Sequence, residues 1–254
     1  MKKLAMCLTL LVLVTVSCNK NAQNETLEFE LQSFEQKSTV NCAGNDCTEV
    51  ELHIPIIVNK KNEIADMINA NNVSVIGSII SLNDSTVKVD NFEALAKQYI
   101  TEYESFVKKY PDENIPWKAT VSGDITFVND QLISFAFDYY TFAGGAHGFE
   151  NEMSINYNPK TGKAYKVEEL IKDWDGLQKL LYMQLRNKSD LFDTNNKLEY
   201  PESIFFYDDT IGFMYNAFDT EVFSDGPIKI ELEKKAVLPF LAISLELKDN
   251  KQNK

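Results

Sequence analysis

The sequence predicts an α+β domain, and three patterns carry that expectation. Ile133, Phe135, Phe137 and Tyr139 alternate with Ser134, Ala136 and Asp138, the period of a half-buried strand. Across residues 91–109 the apolar residues recur instead at helical spacing, as Phe92, Leu95, Ala96, Tyr99, Ile100, Tyr103, Phe106 and Val107, with Tyr110 following. Strands and helices come in mixed order with hairpins among them, which is an α+β arrangement. The expected architecture is a curved antiparallel sheet packed against helices.

Taken in order, Leu27, Phe29 and Leu31 alternate with glutamates and predict a first strand. Val50, Leu52, Ile54, Ile56 and Val58 predict a second, with Pro55 and His53 on the opposite parity. A proline there suits an edge strand or a bulge, because it has no N–H to donate. Residues 62–70 read as a short helix turning Ile64, Met67 and Ile68 inward. The helix over 91–109 opens on Asp90 and Glu93, spaced as a capping box, and closes on Lys108, Lys109 and Pro111. Its aromatic stripe reads as core, because each ring is in register with aliphatic neighbours.

Three more strands follow around Trp117–Val121, Ile125–Phe127 and Ile133–Tyr139, and a further one carries Met153, Ile155 and Tyr157, giving an antiparallel meander. A helix is expected over 175–191, with Leu177, Leu180, Leu181 and Leu185 on one face and Asp173 as cap. Residues 195–203 read as a loop. Residues 211–215 and 228–232 read as closing strands around a turn at 223–227, and 237–241 as a last helical turn. The body is expected over 26–245, in halves of about 40–145 and 146–245, before a tail at 246–254.

Residues 1–17 have the form of an export signal: Lys2 and Lys3, an apolar run from Leu4 to Val16, then the small Ser17. The apolar run is too short to span a bilayer. Thr15-Val16-Ser17-Cys18 resembles a bacterial lipobox, so Cys18 is expected to carry lipid and residues 18–25 to form a polar tether. This places the mature chain in the bacterial envelope, on the membrane only through its lipid. Cys42 and Cys47, with four residues between them, most simply form one disulfide in an oxidising compartment. A metal site is the rival reading, but no second ligand pair accompanies them.

Of the 254 residues, 38 are acidic and 25 basic, a net charge of −13; without Lys2 and Lys3 it becomes −15. This argues against nucleic acid and anionic lipid surfaces, and mildly favours cationic partners.

The stretch over 139–162 holds the chemistry worth weighing. Gly144, Gly145, Gly148 and His147, one of two histidines, join two strands. The adjacent glycines can adopt positive φ or admit a close approach by another backbone or a ligand. Tyr140, Phe142, Gly144, Gly145, His147 and Phe149 are therefore the candidate binding residues. His147 with Asp138 or Glu150 would be part of an acid–base or metal site, yet only His53 adds a second imidazole, and no hydrolase or phosphate-loop motif occurs. Neither a metal nor a cofactor is expected. A glycosidase needs only two carboxylates and no motif, so an enzyme acting on envelope glycans is the alternative.

YYTFAGGAHG, then NYNPKTGKAYKVEEL, then IGFMYNAFDTEVFSDGPIKIEL resemble the extracytoplasmic domain of RsiV-type anti-sigma factors. The same domain type accompanies PdaC-type peptidoglycan deacetylases and occurs in envelope lipoproteins. CTEVELHIPII and the segment around Trp117 resemble its first half, so the likeness spans about residues 40–245. It implies an α+β domain and, in the RsiV type, binding to lysozyme. No sigma-binding segment, transmembrane helix or deacetylase domain is legible here, so the resemblance implies a lipid-tethered module without signalling or catalysis. Its expected partner is an envelope protein such as a lysozyme-like enzyme, or peptidoglycan glycan; a structural lipoprotein is the third possibility.

Overall fold

The computed structural model describes residues 27–42, 46–59, 62–81, 89–113, 115–188, 198–215 and 227–246, the side chains of 186–188 excepted. The expected signal, Cys18, the tether, residues 223–226 of the last turn and nearly all of the tail lie outside them.

The chain is α+β. Strands β1 (Phe29–Lys37), β2 (Glu49–Ile57), β3 (Lys118–Val128), β4 (Ile133–Phe142) and β5 (Phe149–Tyr157) form one sheet in that spatial order. Helices α1 (Glu63–Ile80) and α2 (Phe92–Lys109) connect β2 to β3. After α3 (Val167–Leu170) and α4 (Trp174–Lys188), strands β6 (Ser203–Phe206), β7 (Thr210–Tyr215) and β8 (Ile228–Glu233) form a second sheet. A short α5 (Lys234–Val237) runs into a 3₁₀ turn at Leu238–Phe240.

Each sheet has its own core. Val50, Leu52 and Ile54 of β2 and Phe135 and Phe137 of β4 pack with Ile68 and Ile76 of α1 and Phe92, Leu95 and Tyr103 of α2. Leu177, Leu181 and Leu185 of α4 pack on Ile204, Phe206 and Phe213 of the second sheet. β5, on the far side of the 145/146 division, pairs with β4 and also anchors the second sheet. Its Ser154 hydroxyl and Asn156 amide both donate to the Ile204 carbonyl, at 2.7 and 2.8 Å.

The first sheet is mixed, since β2 pairs with β3 in parallel while its other pairs are antiparallel. The α1–α2 connection is long enough for a parallel return. This also explains Pro55, which lies in an interior strand rather than at an edge. Just past β2 the Val58 N–H bonds the carbonyl of Glu28, the residue before β1, and the Glu49 N–H bonds the Trp117 carbonyl beside β3, so odd-numbered donors of β2 face β3. Pairing with β3 ends at His53 and Ser122, two residues before Pro55. The proline therefore removes no ladder bond. Beyond it, Ile57 rather than Ile56 is fully buried.

α1 continues ten residues past the predicted end at 70. Asparagine side chains along its length are tied to the sheet. Asn69 exchanges two hydrogen bonds with the Ile57 backbone, and Asn72 accepts from the Tyr157 hydroxyl at 2.6 Å. Bonded to the sheet, they do not compete for the helix's own backbone. Met67, expected inside, is 45% exposed. The α2 cap is Asn91, accepting from Ala94 N–H at 2.8 Å, rather than Asp90. β3 runs unbroken through Gly123 with a register shift between Ile125 and Phe127. Asp173 caps α4 as expected, accepting from Gly176 N–H at 2.9 Å.

Candidate functional site

The loop at 143–148 joins β4 to β5. Gly144 and Gly145 have φ of 97° and 98°, a region L residues rarely adopt. A Cβ at Gly145 would meet nothing within 4 Å, so the glycine answers to backbone conformation and not to space. His147 is exposed, and its Nδ1 donates to the Gly148 carbonyl at 3.0 Å.

The six expected binding residues do not form one surface. Tyr140 and Phe142 share one face of β4, and Tyr140 is paired across to Glu150. Phe149 lies on the opposite face, its ring 6.1 Å from that of Tyr139. His53 is far from His147: it shares a 2.8 Å hydrogen bond with Ser33 on β1. Cys42 and Cys47 are disulfide-bonded as expected, their Cα atoms 4.3 Å apart.

An open groove of about 800 Å³ lies beside α2. Lys97, Gln98, Thr101, Glu102 and Ser105 line its helical wall; Phe106, Tyr110, Trp117 and Ala143 supply apolar surface. Its end abuts the glycine loop, where a Cβ on Gly144 would lie 4.0 Å from Ile115 Cδ1. The Phe106 ring lies 5.2 Å from both Trp117 and Tyr110, and the Trp117 backbone N–H donates to Thr48 Oγ1 at 2.8 Å. Phe106, assigned wholly to the core on its spacing, is thus only partly buried. The missed signal was its neighbourhood: Gln98, Thr101 and Ser105 lead toward an aromatic pair at the helix end. Glu102 has both carboxylate oxygens engaged, by Gln98 at 2.8 Å and Ser81 at 3.2 Å.

A second, smaller cleft of about 290 Å³ lies between the sheets. Asp138 and Glu152 face each other across β4 and β5, with Glu150 one rung-pair nearer the loop. Lys229 of β8 reaches in, 2.6 Å from Glu152 and 3.1 Å from the Tyr207 hydroxyl, its Nζ 4.1 Å above the Phe205 ring. Partial burial, then Glu152, hold the Asp138 carboxyl above its usual range against the pull of Lys229. Burial opposes the charge on Lys229, but its bonds to Glu152 and Tyr207 outweigh this and raise it. Asp138 lies about 13 Å along β4 from the loop, so His147 and Asp138 are not brought together. Among the described residues, no three His, Cys, Asp or Glu side chains form a group able to hold a metal.

The groove and loop lie within the part of the chain with a recognisable relative. Residues 42–150 match the family model described as Deacetylase PdaC. The PdaC match begins at Cys42 and ends two residues into β5, so it takes in both helices, the groove and the glycine loop. A crystal structure of a DUF3298 family member from Bacteroides fragilis has a TM-score of 0.64 at 16% identity, over 85% of this chain and 94% of that one. A DUF3298 family protein from Pseudomonas aeruginosa gives 0.55 at 14% identity, over 85% and 95%. These likenesses establish the fold. No curated protein matches the chain.

Proposed function

We propose that this chain is a binding module of the bacterial cell envelope, tethered at Cys18, whose protein or glycan ligand sits in the α2 groove against the glycine loop. The observation that carries this reading is the chemistry of the groove. Among its described lining residues there is one carboxylate, Glu102, and both of its oxygens are already hydrogen-bonded. A glycosidase needs two carboxylates across the scissile bond. Aromatic surface beside amide and hydroxyl groups is instead the composition of a recognition site. The resemblance to RsiV-type domains makes a lysozyme-like enzyme one candidate, and peptidoglycan is the other.

A second reading, deacetylation or hydrolysis of envelope glycans, draws on the Deacetylase PdaC description and on the Asp138–Glu152 cleft. Against it, Asp138 and Glu152 face each other about 13 Å along their strands from the loop that carries His147. The test is a peptidoglycan pulldown beside a lysozyme titration, with acetate and reducing ends assayed in the same samples with added zinc. Saturable binding without product, weakened by Phe106→Ala, is the expected result. Product release abolished by Asp138→Asn or His147→Ala would overturn it.

A further inference from the structure

Resting on the groove reading above, we infer that the groove takes a carboxylate-bearing saccharide of the peptidoglycan glycan type, its acid groups paired with Lys97 and Lys109. The chain is strongly acidic, at −13 overall, yet among the described residues lining the groove two lysines face one glutamate. Gln98 and Ser81 are neutral donors that fix this glutamate and leave its charge in place, so the lining carries two positive charges against one negative. Asp112 and Glu113 follow the helix but do not line the groove. Lys109 is placed by its neighbour, its Nζ lying 5.0 Å over the Tyr110 ring. The two lysines stand about 18 Å apart along the helix axis, which suits an extended, repeating ligand better than a single small anion.

The surface between them selects sugar over peptide. Gln98 donates to Glu102 and Thr101 to the Lys97 carbonyl, so these two face a sugar with their oxygens as acceptors beside the Ser105 hydroxyl, and Phe106 and Tyr110 offer faces for apolar C–H surfaces. An extended peptide would seek an open strand edge for its main-chain hydrogen bonds, and this wall is a helix whose backbone is bonded internally.

The test is calorimetric titration of the full chain with three probes. These are peptide-free glycan strands bearing muramic acid carboxylates, a chitin oligomer of equal length that lacks them, and the free stem peptide. The carboxylated strand is expected to bind, with affinity falling as salt is raised. Lys97→Glu and Lys109→Glu should each weaken it by about tenfold, while Lys97→Arg retains binding and circular dichroism shows all variants folded. Equal binding of the chitin oligomer, indifferent to the lysine variants but abolished by Phe106→Ala, overturns the acidic ligand and leaves the groove. Binding of the stem peptide alone, or of no probe, also overturns this inference, and the lysozyme titration then decides whether the wider binding reading survives.

Discussion

Gly148 sits against the ring of Tyr140: a Cβ built on the glycine would overlap the Cε2, Cζ and hydroxyl oxygen of that ring. The ring is 36% exposed, so it can swing away. Gly148→Ala is therefore expected to change stability by less than about 1 kcal/mol while displacing Tyr140 from the loop's edge. Thermal unfolding and the Tyr140 side-chain NMR signals check both halves.

Gly123 is the contrasting case. A Cβ there would lie 2.7 Å from both the Phe137 ring and Pro55 Cδ, in a region where Phe137 is fully buried. Neither neighbour has room to move, so Gly123→Ala should cost about 1–3 kcal/mol by overpacking. A denaturant titration with an unchanged midpoint would contradict this packing.

The helix α2 gives a paired test. Phe92 is buried and Phe106 only partly so. Phe92→Ala should cost about 3–5 kcal/mol and Phe106→Ala clearly less. Equal losses in denaturant titrations would place Phe106 in the core and remove the groove's apolar floor.

These pairs also mark what the sequence could and could not show. Period alone identified most strands, the α2 stripe and the Leu177–Leu181–Leu185 face, because those patterns are the physics of burial on one side. It did not reveal β6, whose Ser203–Phe206 run is buried at every position and so has no alternation to detect. The end of α1 was hidden because its asparagines bond to the sheet, a tertiary fact. The parallel β2–β3 pair was likewise invisible, since strand direction depends on where the intervening helices return the chain. At the candidate site, the positive φ of the two glycines followed from their residue type. The groove did not, since the helical spacing that marks Phe106 as apolar cannot say that Tyr110, Trp117 and Ala143 leave it half open.

Stability should fall at alkaline pH. Burial holds the phenols of Tyr99, Tyr157 and Tyr215 protonated well above their ordinary range, with Glu102 adding to the effect at Tyr99 and the Asn71 bond opposing it at Tyr157. The unfolded chain ionises these groups near about pH 10 and the native chain does not. The stabilisation is therefore complete below that pH and is lost progressively as pH rises through it toward the native values. Denaturant midpoints that stay level from neutral into this range would contradict the burial of the three hydroxyls.

Reducing the Cys42–Cys47 bond closes off a modest contribution, because the loop spans only five positions in sequence. Loss of the bond in Cys42→Ser with Cys47→Ser should cost about 2 kcal/mol by loop-closure entropy. The double variant is expected to keep full ligand binding, since neither cysteine lines the groove. Parallel denaturation and binding titrations separate the two effects.

The central claim, that ligand is recognised at α2 and the glycine loop without chemistry, is met most directly by a backbone NMR titration. Labelled full chain would be titrated with solubilised peptidoglycan fragments and, separately, with lysozyme. The account predicts saturable shifts confined to residues 94–110, Trp117 and 143–149, with the fragments recovered intact. Shifts centred instead on Asp138, Glu152 and Lys229, accompanied by released acetate or cleaved glycan, would contradict it and make the inter-sheet cleft an active site.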